Sequence, residues 1–284
     1  LAMESIDKNK ISLTDKVSIS ERASSMGGSQ LYMEPGEEKS VEELLKGIAI
    51  ASANDASVAL AEHISGTEET FIKNMNARAK ELGMKYTQFM NTNGLPQEGH
   101  YTSSYDIGLM SKELLKYPKV HEWLTTWMTT MKVGIPDKKI TNLELTNTKR
   151  LIKTYPGANG IKTGYTADSK YCLSASATKN DLTLIAVILG SPTSKIRFEE
   201  AQKLLNYGFS TYNSVPIAKK DQVIDEIIVE KGKDQKVKII PENDLDVIVK
   251  KGEEDQVHKK IVFPDKIKAP LDKNDKIGEI IVKK

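Results

Sequence analysis

Hydrophobic and polar residues follow two different rhythms along this chain, and the change falls near Tyr212. Before that point helical spacing dominates. Val41, Leu44, Leu45 and Ile48 stand at i, i+3, i+4 and i+7, on one face of an amphipathic helix. Ser40 and Glu43 frame its start as a capping box, in which each side chain satisfies an orphan backbone donor. The pattern runs out near Ala51. Asp55 is placed to cap the next helix, which carries Val58, Leu60, Ala61 and Ile64. Thr67 starts a third, with Phe71, Met75 and Leu82 on one face and Gly83 at C′. Asn91 to Gly99 is a polar loop, and Tyr105 to Leu115 a short helix that stops before Pro118. Upstream, a helix end and a loop lead to Val17-Ser18-Ile19-Ser20, and Ser24 to Gly36 reads as a Ser- and Gly-rich loop. Tyr171 to Thr178 and Leu182 to Leu189 are apolar strand-like runs, joined by the turn residues Lys179-Asn180-Asp181. Ile196 to Tyr207 is a helix closed by Gly208.

After Tyr212 the runs are short and β-branched: Val223 to Val229, Val237 to Ile240, Leu245 to Val249, Val257 to Phe263 and Lys276 to Val282. Polar turns separate them, and Ile277-Gly278-Glu279-Ile280-Ile281-Val282 shows alternation. The expected division is therefore an α/β domain over 1–212 and a small all-β domain over 213–284.

Composition changes this picture mainly by exclusion. The 284 residues carry 41 basic and 39 acidic side chains, a formal net charge of +2. That balance lacks the basic stripe of a nucleic-acid binder, and the lysines of the last quarter are interspersed with Asp and Glu. One cysteine, Cys172, excludes an internal disulfide framework and a cysteine-rich zinc site, and in its strand-like run it reads as a buried, inert thiol. His63, His121 and His258 stand in unrelated contexts, so no metal site and no cofactor are expected. No apolar run is long enough to span a membrane, and no signal peptide is present.

The candidate chemistry lies in two runs. Lys162-Thr163-Gly164 opens the strand-rich stretch, and Ser52-Ala53-Asn54 ends the apolar helix about a hundred residues upstream. Lys162 would set a positive charge beside a nucleophile and a substrate carboxylate. Thr163 offers that carboxylate a hydroxyl. Gly164 lets a substrate backbone lie close to a strand edge, and the Tyr165 N–H can point at a developing oxyanion. The Ser52 hydroxyl can relay a proton to a leaving amine, and the Asn54 amide can hold a substrate carbonyl. Capping of the following helix would equally account for Ser52 and Asn54 taken alone. Arg197 is either a carboxylate fork or a surface arginine in the first turn of a helix. His100 is either a cleft residue or a solvated loop histidine.

These runs resemble the low-molecular-mass penicillin-binding proteins, specifically the D-alanyl-D-alanine carboxypeptidases of peptidase family S11. The similarity extends over Met26-Gly27-Gly28-Ser29, Ala51 to Ala56, Asn93-Gly94-Leu95 with His100, Tyr105-Asp106, Gly160 to Thr166 and Arg197, and so covers nearly the whole chain. The resemblance implies a penicillin-binding, serine β-lactamase-like domain with an antiparallel sheet, followed by a small β domain. It implies an extracytoplasmic enzyme that removes the terminal D-alanine from peptidoglycan stem peptides through an acyl-serine, and that β-lactams inhibit. Ser52, Asn54, Lys162 and the Tyr165 N–H would be its catalytic groups, and Thr163, Gly164, Arg197 and His100 would bind substrate. Tyr165 stands where some relatives have histidine, so only its backbone role carries over.

The resemblance also calls for a Ser-x-x-Lys nucleophile at the start of a helix. Its two internal matches, Ser5-Ile6-Asp7-Lys8 and Ser176-Ala177-Thr178-Lys179, fall at a helix end and along a strand. The expected serine lies about nine residues before Leu1, so residues 1–284 alone are expected to be inactive. The resemblance further implies membrane contact through a C-terminal amphipathic helix, whereas the sequence ends in a strand-like run. Two other functions fit parts of the pattern. A β-lactamase of the same fold conflicts with the extra β domain and the lack of a Glu-bearing loop. A non-catalytic cell-wall binding module would keep the cleft residues without a nucleophile.

Overall fold

The computed structural model describes residues 1–136, 138–233 and 235–283. In chain order the first elements are α1 (Ala2–Asp7), β1 (Lys16–Ser18), α2 (Glu21–Ser24), β2 (Glu38–Ser40) and α3 (Val41–Lys46). A π-helical turn, Gly47–Ala51, continues α3. There follow α4 (Asn54–Ser65), α5 (Glu68–Glu81), α6 (Ser104–Leu114), α7 (Pro118–Thr125), β3 (Met128–Val133), β4 (Thr141–Thr146) and α8 (Leu151–Thr154). The strands β5 (Ala158–Thr166), β6 (Lys170–Lys179) and β7 (Leu182–Ser191) precede α9 (Ser194–Thr211). The remainder is β8 (Tyr212–Ala218), β9 (Asp225–Glu230), β10 (Lys236–Ile239), β11 (Leu245–Lys250), β12 (His258–Val262), β13 (Lys266–Lys268) and β14 (Glu279–Lys283).

The chain separates into two compact units, Leu1–Thr178 with Thr183–Leu205, and Lys179–Leu182 with Asn206–Lys284. In the first, α3, the π turn and α4 bury Val41, Leu44, Ile50, Ala53, Ala56 and Val58. The antiparallel β3–β4 hairpin closes this core with Met131, Val133 and Leu145. A second cluster sets Val120, Trp123 and Leu124 of α7 and Met3 of α1 against Ile161 of β5. The sheet order is β5-β6-β7, which makes β5 an edge strand. Its antiparallel register pairs Lys162 with Ser174, Thr163 with Leu173 and Gly164 with Cys172. In the second unit β8 pairs with β11, β9 lies between β10 and β13, and β12 pairs with β14.

The capping box at Ser40 and Glu43 is present with both bonds formed. Thr67 caps α5 as expected, accepting from the Thr70 N–H. Several local expectations need correction. Asp55 is not a cap: Ala53 holds that position, and Asp55 lies in the first turn of α4, fully buried. Its carboxylate accepts from the N–H groups of Leu31 at 2.9 Å and Met33 at 3.4 Å, and so fixes the loop before α3. Gly208 does not close α9, which runs on to Thr211. The helix expected over Tyr105 to Leu115 is α6 and stops before Pro118 as expected, but Pro118 has a second role. It is the first residue of α7, where its missing N–H costs nothing. Cys172 is half-buried rather than buried, with its thiol turned to the Ser169 carbonyl at 3.3 Å.

Candidate active site

Three segments of the first unit converge. The first is the end of the α3 helix. Its π turn places Ser52 at φ 63°, in left-handed backbone, and α4 starts two residues later. That break turns the Ser52 hydroxyl toward β5. The second segment is β5 itself, where Lys162 points back: its ammonium donates to Ser52 Oγ at 2.8 Å and to the Thr163 carbonyl at 2.8 Å. The two sequence runs, 110 residues apart, thus meet in one hydrogen bond.

The third segment lies outside both sequence runs. Asn147, Thr148 and Lys149 follow β4 in a polar stretch, yet Asn147 and Lys149 are buried. The Asn147 amide donates to the carbonyls of Leu124 at 3.2 Å and Thr126 at 2.8 Å. Thr148 Oγ1 lies 2.6 Å from Thr163 Oγ1. The Lys149 ammonium donates to the Ala49 carbonyl at 2.6 Å. The signal that could have found this lysine is alternation, since Leu143, Leu145, Asn147, Lys149 and Leu151 share the inner face at a period of two.

Electrostatically the site is positive. Burial lowers Lys149 from its ordinary 10.5 to about 7, and the Lys162 charge adds to the effect. Burial likewise lowers Lys162 to about 8, with the Arg197 charge contributing. Among the described residues neither lysine forms an ion pair with a carboxylate. Such a pocket favours an anionic ligand group and brings its amines near their titration points at physiological pH.

The remaining expected residues divide. Asn54 is buried beside the Ser52 turn, and its amide donates to the Gly27 carbonyl at 2.7 Å. A side chain at Gly28 would run into that amide, within 2.8 Å of Nδ2. Gly164 is exposed, and a Cβ there would meet only Cys172 Cβ at 3.8 Å, so the strand edge is open to a ligand backbone. Tyr165 is 59% exposed and stacks on Tyr171 with ring centroids 4.5 Å apart.

Arg197 is buried, which removes the surface alternative. Its Nη1 donates to the carbonyls of Gly164 at 2.9 Å and Cys172 at 3.1 Å, and its Nε is buried without a partner. In this state the guanidinium braces the Lys-Thr-Gly strand rather than presenting a free fork. The Thr163 hydroxyl is similarly engaged, by Thr148. His100 is half-buried and meets Phe89 edge-on at 6.0 Å, so it is not a solvated loop residue. Its Nδ1 is buried without a partner, and burial lowers its proton affinity. Among the described residues no hydrogen bond joins it to Ser52 or Lys162. Neither internal Ser-x-x-Lys reaches the cleft pair. Ser5 and Lys8 lie at the end of α1 with Lys8 exposed, and Ser176 is buried against Asn159 at 2.5 Å.

A lysine bonded to a serine at the open edge of an antiparallel sheet is the layout of penicillin-recognising acyl-transfer sites. Comparison with solved structures gives the same fold. Penicillin-binding protein 5 from Haemophilus influenzae aligns with a TM-score of 0.76 and 30% identity, over 99% of this chain and 81% of that one. Residues 1–193 match the family model of the D-alanyl-D-alanine carboxypeptidases, peptidase S11. Residues 212–284 match that of the C-terminal domain of penicillin-binding protein 5. The chain therefore belongs to the S11 D-alanyl-D-alanine carboxypeptidase family. It is 48% identical to the D-alanyl-D-alanine carboxypeptidase DacF of Bacillus subtilis, over all of this chain and 72% of that protein. Against DacC of Escherichia coli it is 36% identical, over 77% of this chain and 54% of that one.

Proposed function

We propose that this protein is a serine-type D,D-carboxypeptidase that removes the terminal D-alanine from peptidoglycan stem peptides on the outer side of the plasma membrane. The observation that carries this reading is the 2.8 Å bond between Lys162 and Ser52, which joins the Lys-Thr-Gly strand to the Ser-x-Asn turn. The substrate peptide lies along the free edge of β5, where Gly164 leaves room for its backbone. Its terminal carboxylate meets the positive field of Lys162 and Arg197, with Thr163 exchanging Thr148 for the ligand.

A serine attacks the carbonyl carbon of the D-alanyl-D-alanine bond and forms an ester. The Tyr165 N–H donates to the oxygen that gains charge. The attacking serine's proton passes through Ser52 to the leaving nitrogen, so D-alanine departs as an amine. Water then hydrolyses the ester and returns the serine. Asn54 orients the Ser52 turn through Gly27, and His100 borders the substrate channel. The serine that is acylated is assigned to a segment outside residues 1–284, since Ser5 and Ser176 stand apart from the Ser52–Lys162 pair. The chemistry is assigned to 1–212 and none of it to the β-rich 213–284. β-Lactams, which mimic the D-alanyl-D-alanine end, would leave a slow acyl-enzyme at the same serine. Membrane contact through a C-terminal helix stays part of the same proposal.

Intact mass before and after incubation with benzylpenicillin tests the reading, together with release of D-alanine from a stem-peptide analogue. One covalent adduct on a serine of the longer protein, with D-alanine release, is the expected result. Residues 1–284 alone should give no adduct. A folded longer protein that takes no adduct would move the function to a peptidoglycan-binding module.

A further inference from the structure

The most deeply buried cation of the cleft is not the lysine of the Lys-Thr-Gly run. Lys149 is 1% exposed, its ammonium bonds the Ala49 carbonyl, and among the described residues no carboxylate forms an ion pair with it. A buried charge without a counter-ion is expensive, and an apolar residue of the same volume would normally be more stable there.

Its partner explains its place. Ala49 lies inside the π turn, three residues before Ser52. In a regular helix the Ala53 N–H would reach back to the Ala49 carbonyl. Here that N–H goes to Gly47 at 3.3 Å, and the Asn54 N–H goes to Ser29 at 2.8 Å. The carbonyl is orphaned by the same irregularity that swings Ser52 into left-handed backbone, and the lysine meets it. One residue earlier, Thr148 bonds Thr163 on the opposite wall, and Asn147 Oδ1 accepts from the Lys149 backbone N–H at 2.9 Å. The tripeptide thus touches both walls of the cleft.

We propose that Lys149 is a positioning residue: by holding the Ala49 carbonyl it fixes the turn that presents the Ser52 hydroxyl to Lys162, while Thr148 beside it sets the distance to the Lys-Thr-Gly strand. The inference rests on the acyl-transfer reading of Ser52 and Lys162. Lys149 touches no reacting atom. Its effect reaches the chemistry through the placement of Ser52.

The test uses the full-length protein as wild type, Lys149→Met and Lys149→Arg. Stopped-flow acylation by a fluorescent penicillin separates the acylation rate constant from the affinity of the first complex. A crystal structure of each variant reads the Ser52–Lys162 separation. Lys149→Met should acylate about 10- to 100-fold more slowly, since small misplacements cost rates of that size. Its affinity for the penicillin should stay within about twofold, because the loss falls on the reaction rather than on binding. Ser52 should leave hydrogen-bond distance of Lys162. Lys149→Arg, which keeps the charge and donors, should recover part of the rate.

A folded Lys149→Met with wild-type acylation and an intact Ser52–Lys162 bond would overturn the inference. So would equal losses of rate and affinity with the Ser52 turn unchanged, which is what a merely structural lysine gives. If the wild type itself takes no penicillin, the functional reading fails and the crystallographic comparison alone decides the role of Lys149. Should Lys149→Met not fold, Lys149→Gln supplies the same two readouts.

Discussion

At the scale of single residues, the cleft depends on amines that burial brings near their titration point. Lys162 is lowered to about 8 by burial, with the Arg197 charge contributing. It therefore sheds its proton within the range of an ordinary assay. If its charge holds the substrate carboxylate, kcat/KM should fall as pH rises through about 8. Lys162→Arg should move that descending limb beyond the measurable range, and a limb that stays in place would assign it to another group. Ser52→Ala removes the hydroxyl that Lys162 holds, and acylation by penicillin should drop by about 10²- to 10⁴-fold, the usual worth of a positioned proton relay. Asp55 carries structure rather than chemistry. Asp55→Ala would leave the Leu31 and Met33 N–H groups unpaired inside the core, each costing about 1–3 kcal/mol. A urea midpoint lowered at constant m would record that cost. Sequence alone could place an acidic residue at the start of α4 but could not separate a solvent-facing cap from a buried anchor. Both uses favour the same residue type at nearly the same position.

Among the elements, what was legible followed from local signals, and what was not depended on distant partners. The capping box of α3 is a four-residue pattern, and it stands as read. Ser40→Ala should lower stability by about 1 kcal/mol, measurable by urea unfolding. Restoring a cap with Ser40→Asp should recover most of it. The π turn after α3 was invisible because Ile48 and Ile50 continue an unbroken apolar run, and one extra residue per turn changes no residue type. Yet that turn decides the direction of Ser52. The α7 helix and the β3–β4 hairpin were also missed. Pro118 resembles a stop unless the residues beyond it bury a face, as Val120, Trp123 and Leu124 do against Ile161. Gly208 resembles a terminator, but a helical glycine costs only about 1 kcal/mol, and the packing of Phe198, Ala201 and Leu205 exceeds that in α9. The Lys-Thr-Gly strand was readable as a strand. Its position at the sheet edge was not, since pairing order is a long-range property.

For the whole molecule, 41 basic and 39 acidic residues nearly cancel, so no global field singles out the cleft. The imbalance is local: two buried lysines flank the cleft, among the described residues neither pairs with a carboxylate, and this gives stability a definite pH dependence. In the unfolded chain both amines titrate near 10.5, whereas in the fold burial brings Lys149 to about 7 and Lys162 to about 8. Below about pH 7 both states hold these protons, and the full cost of burying the charges weighs against the fold. Between 7 and 10.5 the unfolded chain binds more protons than the folded one, so this contribution to stability rises with pH and then levels off. The direction is opposite to that of a lysine that gains a carboxylate partner. Lys149→Met removes one of the two titrations. It also loses the bond to Ala49 at every pH, so only the slope of the difference is informative. Thermal midpoints of wild type and variant, taken from about pH 6 to pH 10, should show the wild type gaining on the variant as pH climbs. Parallel curves would mean that Lys149 keeps an ordinary proton affinity in the fold, through water or a neighbour that neutralises its burial.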